Sequence, residues 1–579
     1  MNLIFKTLKT FKIKYRLLYA SFFFVGLLKY FLEVLTLGSL LPLIAIISDS
    51  SNFADSKFGK PINSFFNYLG YNFDNQELVN IIISGFFILF FFRTIFGIFF
   101  IFYENGVKAK LVVNAQSKFL DYFNNSDDSD ENTNTFPTFI RTVSEDIDRM
   151  VTYAIFHFQA ILEILFILSI LLILSKVSFN ITLISFTTLF LLIALTVLLT
   201  KNSLKKVAEK RQFYEKKTTE VIRNIFISSV LIRLLNRQKY FKNILSHYFK
   251  NKYHFNNKKL FIVKSPKFII EFLIIICFVS LLFYFNNLLS IEEKKNFLPT
   301  LGFFLVCILR LSPLVHSLSN FFQERLYLEN STKLILNFYE EGEKLKYISS
   351  KKNYNLTISS FNILKFQNVH FSYDDQKIFK NLNFEIKEGQ KIGFKSKSGS
   401  GKSTFIFLML GIIKPAEGKV FIDDKEYSHT SQISRDFFGY VPQDSFYFDT
   451  TIRENIAFGE KKIKIDQKKI DRIFEIVGIN EENFGKNFEK KLLGENGSNF
   501  SGGQLQRISI ARSLYCDPKI LILDEATSQM DKISEEKLFS EIIKNYKKLT
   551  LITVSHNFSS IVKILDLYEV KDFKIDKIN

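Results

Sequence analysis

A six-helix all-α transmembrane domain followed by an α/β domain built on a phosphate-binding loop is the architecture this sequence predicts, and three observations predict it. Apolar residues are segregated: between about Tyr15 and Phe321 they form blocks as long as Ile161–Ser175 (ILEILFILSILLILS) and Ile181–Thr200, whereas the last third reads as a soluble protein. The stretch Lys201–Lys264 carries seventeen Lys or Arg against Glu209, Glu215 and Glu220, a local balance of +14 out of +19 for the chain. Lys391 to Phe405, KIGFKSKSGSGKSTF, is a short strand, a Gly- and Ser-rich loop and the start of a helix. Together these exclude a wholly soluble enzyme. Aromatic residues at 16% exclude disorder as well.

At roughly 150 residues per domain, 579 residues allow three or four domains. The 68 Phe with no Trp carry no functional information. Three cysteines, Cys277, Cys307 and Cys516, give no disulfide framework and fit a reducing cytoplasmic side. The basic amino terminus, MNLIFKTLKTFKIKYR, resembles the charged region of a signal peptide. The run after it, Leu17–Ser48, is too long for a signal core and has no convincing cleavage site, so it is expected to remain as a membrane helix.

Six segments reach the twenty or so apolar residues of a helical span, near Leu17–Ser48, Glu77–Phe102, Met150–Ser175, Phe179–Leu199, Phe268–Ser290 and Phe297–Phe321. The positive-inside rule puts the amino terminus, the Val107–Arg149 connection and the basic Lys201–Lys264 stretch in the cytoplasm. Asp49–Gln76, Lys176–Ser178 and Ile291–Asn296 are then outside. The two long cytoplasmic connections are helical in pattern, which predicts that helices 2 to 5 extend well beyond the bilayer. In the first outer loop Pro61 is positioned to start a short helix, with Ile62, Phe65, Phe66 and Leu69 on one face and Gly70 to end it. Such a helix lies on the membrane surface or packs on the spans.

The polar stretch 341–360 reads as a linker between a transmembrane domain, 1–340, and a soluble domain, 361–579. In the soluble domain, the loop of Lys391–Phe405 points backbone N–H groups at a phosphate chain, places Lys402 by the β and γ phosphates and offers Ser403 to magnesium. A second run, KILILDEATS (Lys519–Ser528), ends a strand on Asp524 and Glu525. Two carboxylates beside a phosphate loop suit magnesium binding and water activation.

Between them stands FSGGQLQR, Phe500 to Arg507. The order phosphate loop, Gln443 in YVPQDSFYFDTTIRENIAFG, SGGQ, LDEATS and His556 in LITVSHN resembles the ATPase domain of ABC transporters over Ile363–Ile564. With six upstream spans the chain is similar to a type IV ABC exporter half-transporter. The resemblance implies ATP and Mg2+ as cofactors and a homodimer with two composite sites, since one chain has one copy of each motif. It implies stacking of Tyr373 on adenine. It implies phosphate and magnesium contacts from Ser396, Lys397, Ser398, Gly399, Ser400, Gly401, Lys402, Ser403 and Thr404. Gln443 contacts magnesium and the attacking water, Asp524 organises the metal, Glu525 is the general base and His556 meets the γ-phosphate. Ser501, Gly502, Gly503 and Gln504 reach the nucleotide of the other subunit. Three departures stand out: Ser396 replaces the usual first glycine of the loop, Phe500 replaces leucine, and Asn557 follows His556 where arginine is common. With Lys402, Glu525, Gln443 and His556 kept, an active site is expected.

Ionisable residues within a span cost roughly 2.5 to 3.5 kcal/mol on insertion scales and are functional candidates by default. They are Glu33, Arg93, Glu163, Lys267, Glu271 and Arg310. Arg93, Lys267 and Arg310 in a cavity would suit an anionic headgroup; internal pairing with the three glutamates is the alternative. FLEVLTLGSLLPLIAIISD, FFFRTIF, KSPKFIIEF and CILRLSPLVHSLSNF are similar to the lipid-linked oligosaccharide flippases of bacterial protein N-glycosylation, which implies glycolipid flipping across a bacterial inner membrane. Export of a peptide, drug or other amphiphile by the same motor is the second expectation. A nucleic-acid partner is not expected, because the spans and their topology account for the positive charge.

Overall fold

The computed structural model describes residues 2–11, 13–48, 53–55, 59–123, 136–177, 179–288, 291–351, 361–373, 376–395, 400–427, 437–555, 565–571 and 573–578. The chain divides into two units, Met1–Lys351 and Lys352–Asn579.

The first unit is helical: α1 (Asn2–Thr10), α2 (Ile13–Gly38), α3 (Leu40–Ser48), α4 (Gly59–Tyr68), α5 (Asn75–Phe123), α6 (Phe136–Arg141), α7 (Ile147–Val177), α8 (Phe179–Ile227), α9 (Ser229–Leu234), α10 (Gln238–Leu288) and α11 (Ile291–Lys351). Among the described residues, three helical stretches are long and apolar enough to cross a membrane, Lys14–Ile44, Asn75–Phe123 and Pro137–Ser175. They contain the second and third expected spans and all of the first but its last four residues. The expected spans at 179–199 and 297–321 lie within α8 and α11, and that at 268–290 lies within α10 except for 289–290, which fall outside the described residues.

The first span is not one rod. It breaks between α2 and α3, because Pro42 lacks the N–H that would bond the Gly38 carbonyl and its ring would strike that carbonyl. Pro42 is tolerated in the first turn of the new helix. The helix of the third span, α7, has 31 residues, but α5 and α8 have 49 each and α10 has 51, so three of the four rods expected for helices 2 to 5 are present. At about 1.5 Å per residue each of these three exceeds 70 Å, more than twice a hydrocarbon core. The last helix, α11, also runs on through 341–351, the first eleven residues of the expected linker. Nothing in EGEKLKYISSK breaks a helix. The expected outer-loop helix is α4, and Gly70 follows it at φ 85°. Phe66 packs with Phe73 against Ile46, Phe53 and Leu78, while Phe65, Tyr68 and Leu69 are exposed. The helix is thus packed through Phe66 and leaves three large apolar side chains uncovered.

A π-turn, Thr142–Asp146, joins α6 to α7 and carries a buried ion network. Asp146, 1% exposed, accepts from Arg141 (2.9 Å), Arg149 (3.2 Å) and the Ser331 hydroxyl (2.7 Å). Arg149 also reaches Glu145 and Glu215 of α8, and Glu215 pairs with Arg211 at 2.7 Å. Three guanidiniums meet three carboxylates across α6, α7, α8 and α11.

The second unit holds two sheets. Strands β1 (Ile363–Tyr373), β2 (Gln376–Lys387), β4 (Glu417–Ile422) and β5 (Lys425–Tyr427) form an antiparallel sheet in the order β2-β1-β4-β5. The other sheet has β3 (Lys391–Lys395), β6 (Phe438–Val441), β7 (Ile520–Asp524), β8 (Thr550–Val554), β9 (Asp566–Lys571) and β10 (Lys574–Lys577) in the order β10-β9-β3-β8-β7-β6. It is parallel from β9 to β6. Every residue of β7 and β8 is buried, as expected for parallel strands covered on both faces. The helices are α12 (Lys402–Leu410), α13 (Ile452–Ile456), α14 (Gln467–Val477), α15 (Glu481–Phe484), α16 (Gly502–Tyr515) and α17 (Lys532–Asn545).

Candidate nucleotide-binding site

The parallel sheet places the predicted residues at the carboxyl ends of its strands, where open α/β sheets bind ligands. The chain leaves β3 at Lys395 and begins α12 at Lys402, with Gly401 as its N-cap at φ 98°. A Cβ at Gly401 would stand 2.7 Å from Cγ2 of Ile378 and 3.4 Å from the Phe379 ring, so glycine is required by conformation and by space. The β1–β2 hairpin that supplies those side chains also carries Tyr373. Its ring is about half exposed and meets the Phe371 ring edge-on at 5.0 Å. An accessible flat ring on the hairpin that packs beside Gly401 is suited to stacking on a base.

At the end of β7 stand Asp524 and Glu525. The Lys402 ammonium lies 3.9 Å from Glu525 Oε1, and Gln443 Nε2 donates to Glu525 Oε2 at 2.9 Å. Asp524 is buried beside them and accepts from the Tyr440 hydroxyl at 3.5 Å. Burial, and after it the Glu525 charge, holds the Asp524 carboxyl above the usual aspartate range. Burial, and after it Asp524, pushes the Tyr440 hydroxyl up to about 12. Glu525 has φ 52°, left-handed backbone for a residue with a Cβ, and its N–H donates to the Val554 carbonyl at 3.1 Å. That bond to β8 fixes the turn which turns the carboxylate toward Lys402.

A second surface of the same unit is built on α16. Ser501 is its N-cap in a reciprocal capping box: Ser501 Oγ accepts from the Gln504 N–H and Gln504 Oε1 accepts from the Ser501 N–H at 2.8 Å. Ser501, Gly502, Gly503 and Gln504, with Gln529, Met530 and Asp531, line a concavity of about 410 Å³. A Cβ at Gly502 would fall 1.4 Å from Gln529 Oε1, so a larger residue there would require the Gln529 amide to move aside. A helix N-terminus with glycines presents its N–H groups to an anion.

The structure therefore brings Lys402, Gln443, Asp524 and Glu525 together and gathers Ser501–Gln504 on a surface of their own. Ser400, Ser403 and Thr404 follow the loop, Ser403 exposed and Thr404 buried. Ser396, Lys397, Ser398, Gly399 and His556 lie outside the described residues. Sequence reasoning missed Tyr440, which sits as the third residue of FGYV and gives no signal beyond an aromatic in a strand.

Of the two arrangements expected for the cations in the spans, internal pairing is seen for two. Arg93 on α5 pairs with Glu33 on α2 at 3.2 Å, and Lys267 pairs with Glu271 one turn along α10 at 3.7 Å. Two of the three cations expected to face an anionic headgroup thus have carboxylates of the chain beside them, because an intramembrane charge is costly to leave alone. Arg310 is half-buried on α11. Glu163 accepts from Ser317 at 2.6 Å. The expectation also overlooked Lys29, whose ammonium lies over the rings of Tyr30 (4.6 Å) and Phe100 (4.9 Å), and Glu104, which accepts from Gln159.

A sequence model of the ABC transporter family matches residues 379–528. The fold as a whole is that of an ABC exporter, a helical membrane part followed by an α/β nucleotide-binding domain. It is similar to the solved structure of a bacterial Atm1-family ABC exporter with ATP bound, with a TM-score of 0.71, 18% identity and 93% of both chains covered. A Rickettsia typhi protein named for export ATP-binding and permease function is 39% identical over 209 residues, 34% of this chain and 35% of that protein. ATP-binding cassette sub-family B member 6 of Mus musculus is 33% identical over 213 residues, 36% of this chain and 25% of that protein. The chain thus matches about a third or less of the length of these curated relatives.

Proposed function

We propose that this protein is an ATP-hydrolysing exporter of the bacterial inner membrane, working as a homodimer with two composite sites. The observation that carries the reading is the convergence of Lys402, Gln443, Asp524 and Glu525 at the carboxyl ends of the sheet. Lys402 neutralises phosphate, Glu525 takes a proton from the attacking water, and Gln443 holds Glu525 and that water in register. Tyr373 stacks on the base. His556 meets the γ-phosphate, and Ser501–Gln504 close over the nucleotide held by the partner subunit. The donor set for a divalent ion is all oxygen, the Asp524 carboxylate with the hydroxyl of Ser403 and the amide of Gln443, which fits Mg2+. When bound, that ion neutralises charge on the phosphates.

For the cargo, resemblance of the membrane segments to oligosaccharide flippases supports a lipid-linked oligosaccharide or similar anionic glycolipid. Export of a peptide, drug or other amphiphile is the second reading, and the Arg93–Glu33 and Lys267–Glu271 pairs favour it, because they take two cations away from any headgroup. Reconstituted vesicles separate the two. If glycolipid is the cargo, a fluorescent polyprenyl-pyrophosphate glycolipid crosses the bilayer only with ATP and Arg310→Gln abolishes that movement; unimpaired flipping by Arg310→Gln sinks the anionic-headgroup reading, and no flipping by the parent protein sinks the glycolipid.

A further inference from the structure

One face of α16 grips the segment that follows Gln443. The Tyr447 hydroxyl donates to the Leu505 carbonyl at 2.8 Å and lies 2.8 Å from the Ser509 hydroxyl. Arg512 donates through Nη1 to the Phe446 carbonyl at 2.9 Å, through Nε to the Asn455 carbonyl at 2.9 Å and through Nη2 to the Asn455 amide oxygen at 3.2 Å. Positions 505, 509 and 512 recur at i, i+4, i+7 and form one stripe of the helix. Asn455 is wholly buried and ties its own segment together, donating to Phe448 O (3.0 Å) and Thr450 Oγ1 (2.9 Å) and accepting from the Phe448 N–H (3.0 Å).

Arg512 does this without a counter-charge. Among the described residues no carboxylate lies within ion-pair distance of it. Burial pushes its guanidinium down, and the rings of Tyr447 and Phe458 stand 5.5 and 5.0 Å from its central carbon. Burying an unpaired cation costs stability that an apolar side chain of similar volume would not. What the guanidinium adds is three directed donors in one plane, aimed at two stretches of backbone.

The helix so gripped begins at the Ser501–Gln504 surface, and the segment it grips begins at Gln443, which bonds Glu525. We infer that Arg512 and Tyr447 are positioning residues, a strut through which the Ser501–Gln504 surface and Gln443 shift as one body, so that engagement of the partner subunit's nucleotide is felt at Glu525. The inference rests on the proposed composite-site reading. It adds a link between the two sites that runs inside one subunit, and such a link is a coupling free energy carried by an element both sites bias.

Hydrogen exchange on the full chain in lipid nanodiscs tests it, with a magnesium-loaded, hydrolysis-resistant imido analogue of ATP as the probe. In the parent protein the backbone of 443–455 and of 501–507 is expected to gain protection at the same half-saturating concentration. Arg512→Gln is expected to separate the two midpoints by about threefold or more, a shift typical of coupling mutations. Arg512→Lys, with one ammonium for two stretches of backbone, restores coincidence in part. Should Arg512→Gln fail to fold, Tyr447→Phe removes one hydroxyl only, and separation of its midpoints decides. Coincident midpoints in a folded variant overturn the strut even where its melting temperature falls, because a merely structural role moves stability and not the midpoints. Protection of α12 with none at 501–507 in the parent protein instead sinks the composite-site reading itself.

Discussion

In the membrane unit, Arg141, Arg149 and Arg211 face Glu145, Asp146 and Glu215, three charges against three, with pairs as close as 2.7 Å. In the nucleotide unit, Asp524 and Glu525 stand by Lys402 with the ammonium 3.9 Å from Glu525, at the outer limit of an ion pair. Every charged group of the first cluster has an opposite charge of the fold beside it. A closed, neutral network spanning several helices has its binding energy already spent on holding those helices. An ammonium at the outer limit of an ion pair, at strand ends, is placed to meet an anionic ligand. Among the described residues two carboxylates stand by one ammonium there, which disfavours a polyphosphate alone and is a physical reason for a divalent cation to accompany it.

The contrast breaks most visibly at Glu525. Glu525→Gln is expected to lower phosphate release by about 10²-fold or more while Mg-ATP still binds. Phosphate release and nucleotide binding measured on the same sample check this, and an undiminished rate removes Glu525 as the base. In the closed cluster the same kind of change should act on folding instead. Asp146→Ala removes the carboxylate paired with Arg141 and one of the three that meet Arg149, and is expected to cost about 3–5 kcal/mol, the range for removing one partner of a buried pair. Thermal unfolding in detergent reads it; a loss under about 1 kcal/mol would mean that water replaces the carboxylate.

Between these extremes lies the Arg93–Glu33 pair. Arg93→Gln leaves Glu33 unsatisfied and should destabilise by about 1–3 kcal/mol, with recovery on adding Glu33→Gln. Lack of recovery in the double variant would return Arg93 to the list of residues facing cargo. The smallest effect concerns pH. Because the folded-state carboxyl of Asp524 titrates above its unfolded value, the unfolded chain ionises first as pH rises, so this residue costs the nucleotide-free domain stability through that window and beyond. Asp524→Asn is therefore expected to melt slightly higher than the parent at neutral pH, and level with it below the ordinary aspartate range. A difference that persists unchanged at acid pH would assign the effect to packing.

Much of the site could be read from the chain because phosphate chemistry demands particular residues at short spacing. Lys402 with its loop, the Asp524–Glu525 pair and Gln443 each sit in runs whose local structure is nearly dictated by glycine, β-branched residues or a cap. The architecture was legible for a related reason, since a span needs a long apolar block. What escaped depends on contacts between distant segments. Arg512 looks like any basic residue on a helix, and only the fold carries the Phe446 and Asn455 carbonyls to it. The partner of Arg93 was equally hidden, because Glu33 is sixty residues away. Lys29 is a different kind of miss, since a lysine inside FFFVGLLKYFLEVL is itself a visible exception. The break after Gly38 was visible too, in Pro42, but the hydropathy of the run outweighed it.

Glu525 holds φ at 52°, in backbone that side chains with a Cβ avoid at a cost of about 1–3 kcal/mol. A glycine there would relax the turn and could keep its bond to Val554. Random mutation of this gene screened only for a well-folded, heat-resistant product should therefore drift away from glutamate at this codon, whereas a screen for cargo movement should hold it fixed. The position divides the two kinds of selection within a single residue: the folded chain gains by losing the side chain that the proposed chemistry requires.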